Sequence, residues 1–176
     1  EKTLDMIDWI RTDSAFLVPA GTPKAISGIE DLCGANAGTL RGSAQAALLE
    51  EQSKTCAADG EKPVSILLYD DMGAGQTQLR AGKLDAYFGG TVPLTYLASQ
   101  VDGGKAFEVA EKTYLGGVFA IAVEKGDPLA QSLLDALKEI EASGEYGKIL
   151  ASYDAQNDAL TAEEFQLNGI GAGAFE

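Results

Sequence analysis

Apolar residues in this chain come in short runs broken by glycine, proline and charged clusters, and the period of the runs changes partway along. Leu4-Asp-Met-Ile-Asp-Trp-Ile10 alternates apolar and polar positions and reads as the interior of a longer element. Ala15-Phe-Leu-Val-Pro19 predicts a strand, stopped by Pro19 and Gly21. Ser27-Gly-Ile-Glu30 has the form of a capping box, so a short helix is expected through Asp31 and Leu32. Ala37–Leu40 predicts a short buried strand, after which Gly42-Ser43 opens a long helix from Ala44 to about Ala57. Val64–Tyr69 is the clearest strand; Gln76–Ala81 reads as helix, Ala86-Tyr-Phe88 as strand ending at Gly89-Gly90, Val92–Val101 as helix and Phe107–Ala110 as strand. Gly117–Val123 is wholly apolar and of strand length.

Beyond that point the pattern becomes helical. Asp127-Pro128 is an N-cap followed by proline at the first helical position. Leu129, Leu133, Leu134, Leu137 and Ile140 share one helix face, and a second helix is expected over Glu145–Tyr153. Alternation of strand and helix up to Val123 predicts a mostly parallel sheet with helices on both faces. The two later helices have no strand of their own to cover. The chain starts at Glu1 rather than Met, which reads as processed or cut, and its first residues do not form a signal peptide. Asn168–Glu176, rich in glycine, is expected to be a loosely held end.

Charge narrows the function. Thirteen Lys and Arg against 27 Asp and Glu leave a net −14, which disfavours nucleic acid and anionic membrane surfaces as partners. The absence of His removes His-based triads and imidazole bases, and two Cys are too few for a thiolate zinc site. No apolar run approaches the ~20 residues of a membrane helix, so direct membrane insertion is not expected.

An ordered set of segments carries a resemblance. It comprises Phe16-Leu-Val18, Thr22-Pro23, Ile29-Glu-Asp-Leu-Cys-Gly34, Gly42-Ser43-x-Gln45, a second Cys before Gly60, and Leu79–Ala86. Phe119–Asp127 and Gly144–Leu150 complete it. Together they resemble the solute-binding proteins of polar amino-acid ABC transporters, over roughly Leu4–Asp154. The resemblance implies the type II periplasmic-binding-protein fold: two α/β lobes joined by two crossing strands, with ligand held between them. Phe16-Leu-Val18 would be the first crossing and Ala120-Ile-Ala122 the second. Residues 1–18 would then be a remnant of lobe 1 with the first crossing, 19–117 a complete second lobe on a five-stranded sheet, and 118–176 the second crossing with the C-terminal helices of lobe 1. Most of lobe 1 would precede Leu4. An apolar face on the later helices would be left exposed, or covered by self-association or by preceding residues.

The resemblance also assigns roles. Arg41-Gly42-Ser43-Ala44-Gln45 joins a strand to the long helix, where free N–H groups and the positive dipole end suit an anion. The matching loop of the family binds a ligand carboxylate through a Ser or Thr hydroxyl and amides, with Arg41 an added cation; the alternative is a plain N-cap beside a surface charge. Gly90 stands where the family keeps an Asp for the ligand's ammonium, and Thr91 offers a hydroxyl there instead. Trp9 falls where an aromatic often lines the cleft, although a core role is equally open. Asp71 and Met72 follow the strongest strand at a ligand-facing edge; the Asp70-Asp71 pair alone does not make a metal site, and no cofactor is expected. Asp85 is expected to be a solvated loop charge. In a secreted domain Cys33 and Cys56 most simply pair, two buried thiols being the alternative.

The function so implied is capture of a small polar, carboxylate-bearing solute for the membrane permease of an ABC importer. The setting is periplasmic or extracellular, with a lipid anchor in the precursor as one option. A dehydratase-like enzyme on the same fold and a receptor's ligand-sensing domain are the alternatives.

Overall fold

The computed structural model describes residues 3–22 and 26–169. The chain divides into two compact units, Ser14–Leu115 and Glu1–Asp13 with Gly116–Glu176. Strand β1, Leu4–Pro19, and strand β6, Tyr114–Glu124, run through both and pair with each other.

In the Ser14–Leu115 unit the elements follow β2 (Asn36–Leu40), α1 (Ala44–Ala58), β3 (Ser65–Tyr69), α2 (Met72–Arg80), β4 (Ala86–Gly90), α3 (Thr91–Gln100) and β5 (Phe107–Val109). The sheet order is β3-β2-β4-β1-β5, with β6 added beside β1. β2 pairs in parallel with both β3 and β4, and β1 runs antiparallel to β4 and β5, so β2 to β5 share one direction and β1 alone among these five opposes them, in a mixed sheet with the expected parallel majority of strands.

Alternation along the strands sorts side chains onto two faces. Phe16, Val18, Ala37, Ala86 and Phe88 face Leu49 and Cys56 of α1. Leu17 and Tyr87 face Leu79 of α2 and Leu94 of α3. Phe16 and Phe88 stack with ring centroids 4.3 Å apart, and Tyr114 meets both edge-on. The disulfide Cys33–Cys56 ties the segment after a short 3-10 helix, Ile29–Leu32, to the end of α1. That pairing is the expected one. The capping acid of the 3-10 helix, however, is Asp31 rather than Glu30. Its carboxylate accepts from the Ser27 and Gly28 N–H groups and the Ser27 hydroxyl. Glu30 reaches Lys112 instead. Asp85 is likewise not simply solvated: it accepts from the Asn36 N–H at 2.7 Å and so closes the start of β2.

The other unit sets α4 (Leu129–Ala142) and α5 (Glu145–Ala151) with the first half of β1 and the second half of β6. The Asp127 carboxylate caps the Leu129 N–H at 2.8 Å. Ala130, Leu134 and Leu137 are buried, whereas Leu129 stays half exposed. The segment after α5 is not a loose tail up to Gly169. Leu160 and Phe165 are buried, and Phe165 packs edge-on against Tyr146. Asn168 also takes the Met6 N–H and donates to Asp5, because residues 165–168 lie alongside β1, with Ile7 bridging to Leu167. The remainder of the expected loose end, 170–176, lies outside the described residues. Phe119 on β6 is 45% exposed, and the wholly apolar run Gly117–Val123 buries none of its residues completely.

Candidate functional site: the carboxyl edge of the sheet

Three parallel strands, β2, β3 and β4, each end directly in a helix, so the N-termini of α1, α2 and α3 share one edge of the Ser14–Leu115 unit. Carboxyl edges of open α/β sheets are where ligands bind. The first turn of a helix brings N–H groups without intrahelical partners and a partial positive charge.

At α1, Gly42 has φ +70°, a left-handed turn that a side chain would strain. Ser43 is the N-cap: its hydroxyl accepts from the Ala46 N–H at 3.2 Å and donates to the Leu40 carbonyl at 2.7 Å. No backbone hydrogen bond within this turn takes up the Gly42, Ala44 and Gln45 N–H groups, as is usual for the first residues of a helix. Arg41 is fixed by its own N–H to the Tyr69 carbonyl, and its guanidinium pairs with Asp70 at 3.1 Å on the exposed rim.

At α2, Asp71 caps the Ala74 N–H at 2.8 Å and Met72 begins the helix, four residues earlier than the pattern predicts. Gly73 and Gly75 disguise this first turn in the sequence. At α3, Gly90 is the N-cap with no side chain to offer, and Thr91 is the first helical residue.

Beneath this edge lie two phenols. Tyr69 and Tyr87 have buried hydroxyls with no hydrogen-bond partner. Burial, with the nearby Asp71 and Tyr69, pushes Tyr87 up to about 12. Burial raises Tyr69 as well.

The structure therefore gathers Arg41, Gly42, Ser43, Ala44, Asp71, Met72, Gly90 and Thr91 on one edge of one unit. Trp9 belongs to the other unit, half buried, with its carbonyl accepting from the Tyr146 hydroxyl at 2.7 Å. Two polar residues of the edge, Thr39 and Ser14, were not singled out by sequence reasoning, and the partner that Gln45, the last residue of the candidate turn, finds there was not foreseen. Thr39 is buried and donates to the Phe88 carbonyl at 2.9 Å. Ser14, at 3% exposure, lies opposite Gly90 in the strand register. Gln45 donates from Nε2 to the Ser14 hydroxyl at 2.8 Å. Ser14 and Gln45 are 31 positions apart, and only the sheet register could have linked them. Among the described residues no three Cys, Asp or Glu side chains cluster to hold a metal ion, and no helix is long and apolar enough to cross a membrane.

No family model matches the chain. It is 28% identical over 155 residues to an L-arginine-binding protein of Pseudomonas aeruginosa, covering 82% of this chain and 56% of that protein. It is 25% identical over 132 residues to the arginine-binding protein ArgT of Corynebacterium glutamicum, covering 74% of this chain and 43% of that one. The chain thus spans about half the length of these relatives. The solved structure of an ancestral arginine-binding protein bound to glutamine superposes with a TM-score of 0.67 at 24% identity, over 85% of this chain and 63% of that one. The fold is that of the type II periplasmic solute-binding proteins of ABC transporters.

Proposed function

We propose that this protein captures a small polar, carboxylate-bearing solute outside the cytoplasm and delivers it to the permease of an ABC importer. The observation that carries this reading is the α1 turn. Gly42, Ala44 and Gln45 present N–H groups at a helix N-terminus, Ser43 holds the loop in shape, and Arg41 adds a cation at the rim. These are features a carboxylate needs: donors at the positive end of a helix and a cation at the rim, which a ligand carboxylate would share with or take from Asp70. The uncapped start of α3 at Gly90-Thr91 adds a second dipole end along the same edge. A disulfide supports an oxidising, extracytoplasmic setting.

Both sequence relatives are named for arginine. Arginine therefore belongs in any ligand panel, although Gly90 supplies none of the negative charge that an ammonium requires at that position. The test is titration calorimetry of the full chain against amino acids, monocarboxylates, dicarboxylates and neutral sugars. At least one carboxylate is expected to bind with micromolar affinity or better, and Arg41→Ala is expected to weaken it about 10-fold. Binding of a neutral sugar with no response to any carboxylate would contradict the reading.

A further inference from the structure

Strand β3 is the last strand of its sheet, paired with β2 alone. Its sequence, Ser65-Ile-Leu-Leu-Tyr69, carries no charge in a chain with net −14. Ser65 donates its N–H to the Ala35 carbonyl, and the Tyr69 carbonyl accepts from the Arg41 N–H. Residues 65, 67 and 69 therefore turn their backbone groups toward β2, and 64, 66 and 68 turn theirs outward. Two of the outward carbonyls are covered from within the chain: the Ser53 hydroxyl donates to that of Val64 at 3.2 Å, and the Arg41 guanidinium reaches that of Leu68 at 3.5 Å. Ile66, between them, keeps both its N–H and its carbonyl facing out from the edge. Exposed edges of this kind are templates for another strand, and native proteins usually blunt them with charge.

A groove of about 400 Å³ runs beside this edge on the α1 face. Pro63, Ile66 and Ala57 form its apolar part, and Glu50, Ser53 and Lys54 stand along its helix wall. Glu50 and Lys54 are exposed, one helical turn apart, and in no ion pair among the described residues.

We propose that this edge is the interface at which two copies of the chain join, β3 against β3, antiparallel about a two-fold axis at Ser65. Ile66 then donates its N–H to the carbonyl of the partner's Val64, which has a second lone pair beside its Ser53 bond, and the symmetry repeats that contact. Neighbouring strands lie about 4.8 Å apart, and α1 packs over both β2 and β3. The two α1 helices therefore come to lie about 10 Å apart on one face of the joined sheet, a distance at which helices pack. Ser53 is level with Val64, so the axis passes beside the turn from Glu50 to Lys54. The two-fold reverses one helix against the other and sets Glu50 opposite the partner's Lys54, twice. A wall that carries its own complement in this order fits a second copy. The net −14 on each copy opposes association, but at about 0.15 M salt it is screened beyond about 8 Å, and the uncharged edge is where two copies approach with least repulsion. The interface uses none of the α1 first-turn donors, so it stands apart from the carboxylate reading above.

The experiment is sedimentation equilibrium of the full chain at about 0.15 M salt, from about 5 to about 500 µM, the range that suits a small interface. The mass is expected to rise from 18.3 kDa toward twice that value. Ile66→Pro removes the donated N–H at an edge position that makes no bond to β2, and should weaken the dimer by about 10-fold or more. Glu50→Lys and Lys54→Glu should each weaken it about 10-fold, although they move the net charge in opposite directions. The double exchange, Glu50→Lys with Lys54→Glu, keeps the net charge and should return the affinity to within about 3-fold of the native value. Both positions are exposed on α1, so these variants test the interface even where Ile66→Pro does not fold. A monomer at every concentration would overturn the proposal and leave the edge to a different chain. A dimer that the charge variants do not move, as one built on the exposed β6 run would be, would overturn it as well.

Discussion

Two glycines in one helix turn should respond oppositely to the same added methyl group. Gly75 of α2 lies against the Tyr87 ring: a Cβ there would sit 2.2 Å from Cε2 and 2.6 Å from Cδ2, with Tyr69 Cδ2 at 3.3 Å. The Tyr87 ring has little room to retreat, because it also fills the space over Gly38 and Gly89, where added Cβ atoms would lie 3.2 Å from it. Gly73, two residues earlier, would place its Cβ 3.3 Å from Asp71 Oδ1 and near no ring. Replacing glycine by alanine in a helix gains about 1 kcal/mol in propensity, and overpacking a filled core costs about 1–3 kcal/mol. Gly73→Ala should therefore stabilise by up to about 1 kcal/mol, and Gly75→Ala should destabilise by about 1–2 kcal/mol. Urea unfolding of both variants beside the native chain, compared at constant m-value, measures the difference directly. Equal stabilisation by both substitutions would refute the packing of α2 over the two tyrosines, and with it the placement of Asp71 and Met72 at the ligand edge.

Four further outcomes follow from named contacts. Reducing the Cys33–Cys56 disulfide, which closes 22 intervening residues, should cost about 3 kcal/mol on the chain-entropy model, read as a lower urea midpoint with reductant; coincident curves would contradict it. Ser43→Ala removes the cap from Ala46 and should destabilise α1 by about 1 kcal/mol, seen as faster amide exchange in its first turn. Asp5 is held well below the ordinary carboxylate range by hydrogen bonds from Lys125, Asn168 and the Gly126 N–H. A depressed carboxylate stabilises the fold above its unfolded pKa of about 4 and loses that contribution as pH falls through its folded value. Acid titration should thus unfold the native chain more steeply below about pH 4 than Asp5→Asn, and identical acid limbs would sink the assignment. Tyr87→Phe deletes a buried hydroxyl that has no partner and should leave stability unchanged or raise it by about 1 kcal/mol; a loss larger than that would mean the hydroxyl is hydrogen-bonded in solution.

Where local chemistry decided an element, the sequence announced it. Gly42-Ser43 opening α1, the β2 to β4 strands and the Asp127 cap all rest on signals a few residues wide. Elements whose form depends on distant partners were harder to read. Glu30 satisfies the capping-box spacing, but Lys112, 82 residues away, takes it, leaving Asp31 to cap. The polar look of residues 155–169 hides Leu160 and Phe165, which are spaced too irregularly to show a period and are buried only because Tyr146 and β1 offer them a surface. The candidate site shows the same division. Its anion turn is contiguous from Arg41 to Gln45 and was legible. Its second polar element, Ser14 with Gln45, exists only once β1 is set beside β4.

The claim at the centre of this account is that solute carboxylate meets the first turn of α1. Amide chemical-shift perturbation tests it most directly, because the proposed donors are backbone N–H groups that no side-chain substitution removes. On titration with the best-binding carboxylate from the calorimetric panel, the largest shifts are expected at Gly42, Ser43, Ala44 and Gln45, followed by Gly90 and Thr91. Shifts concentrated instead around Ser27 and Glu108–Lys112, where the same unit has a separate cavity of about 620 Å³, would contradict the account.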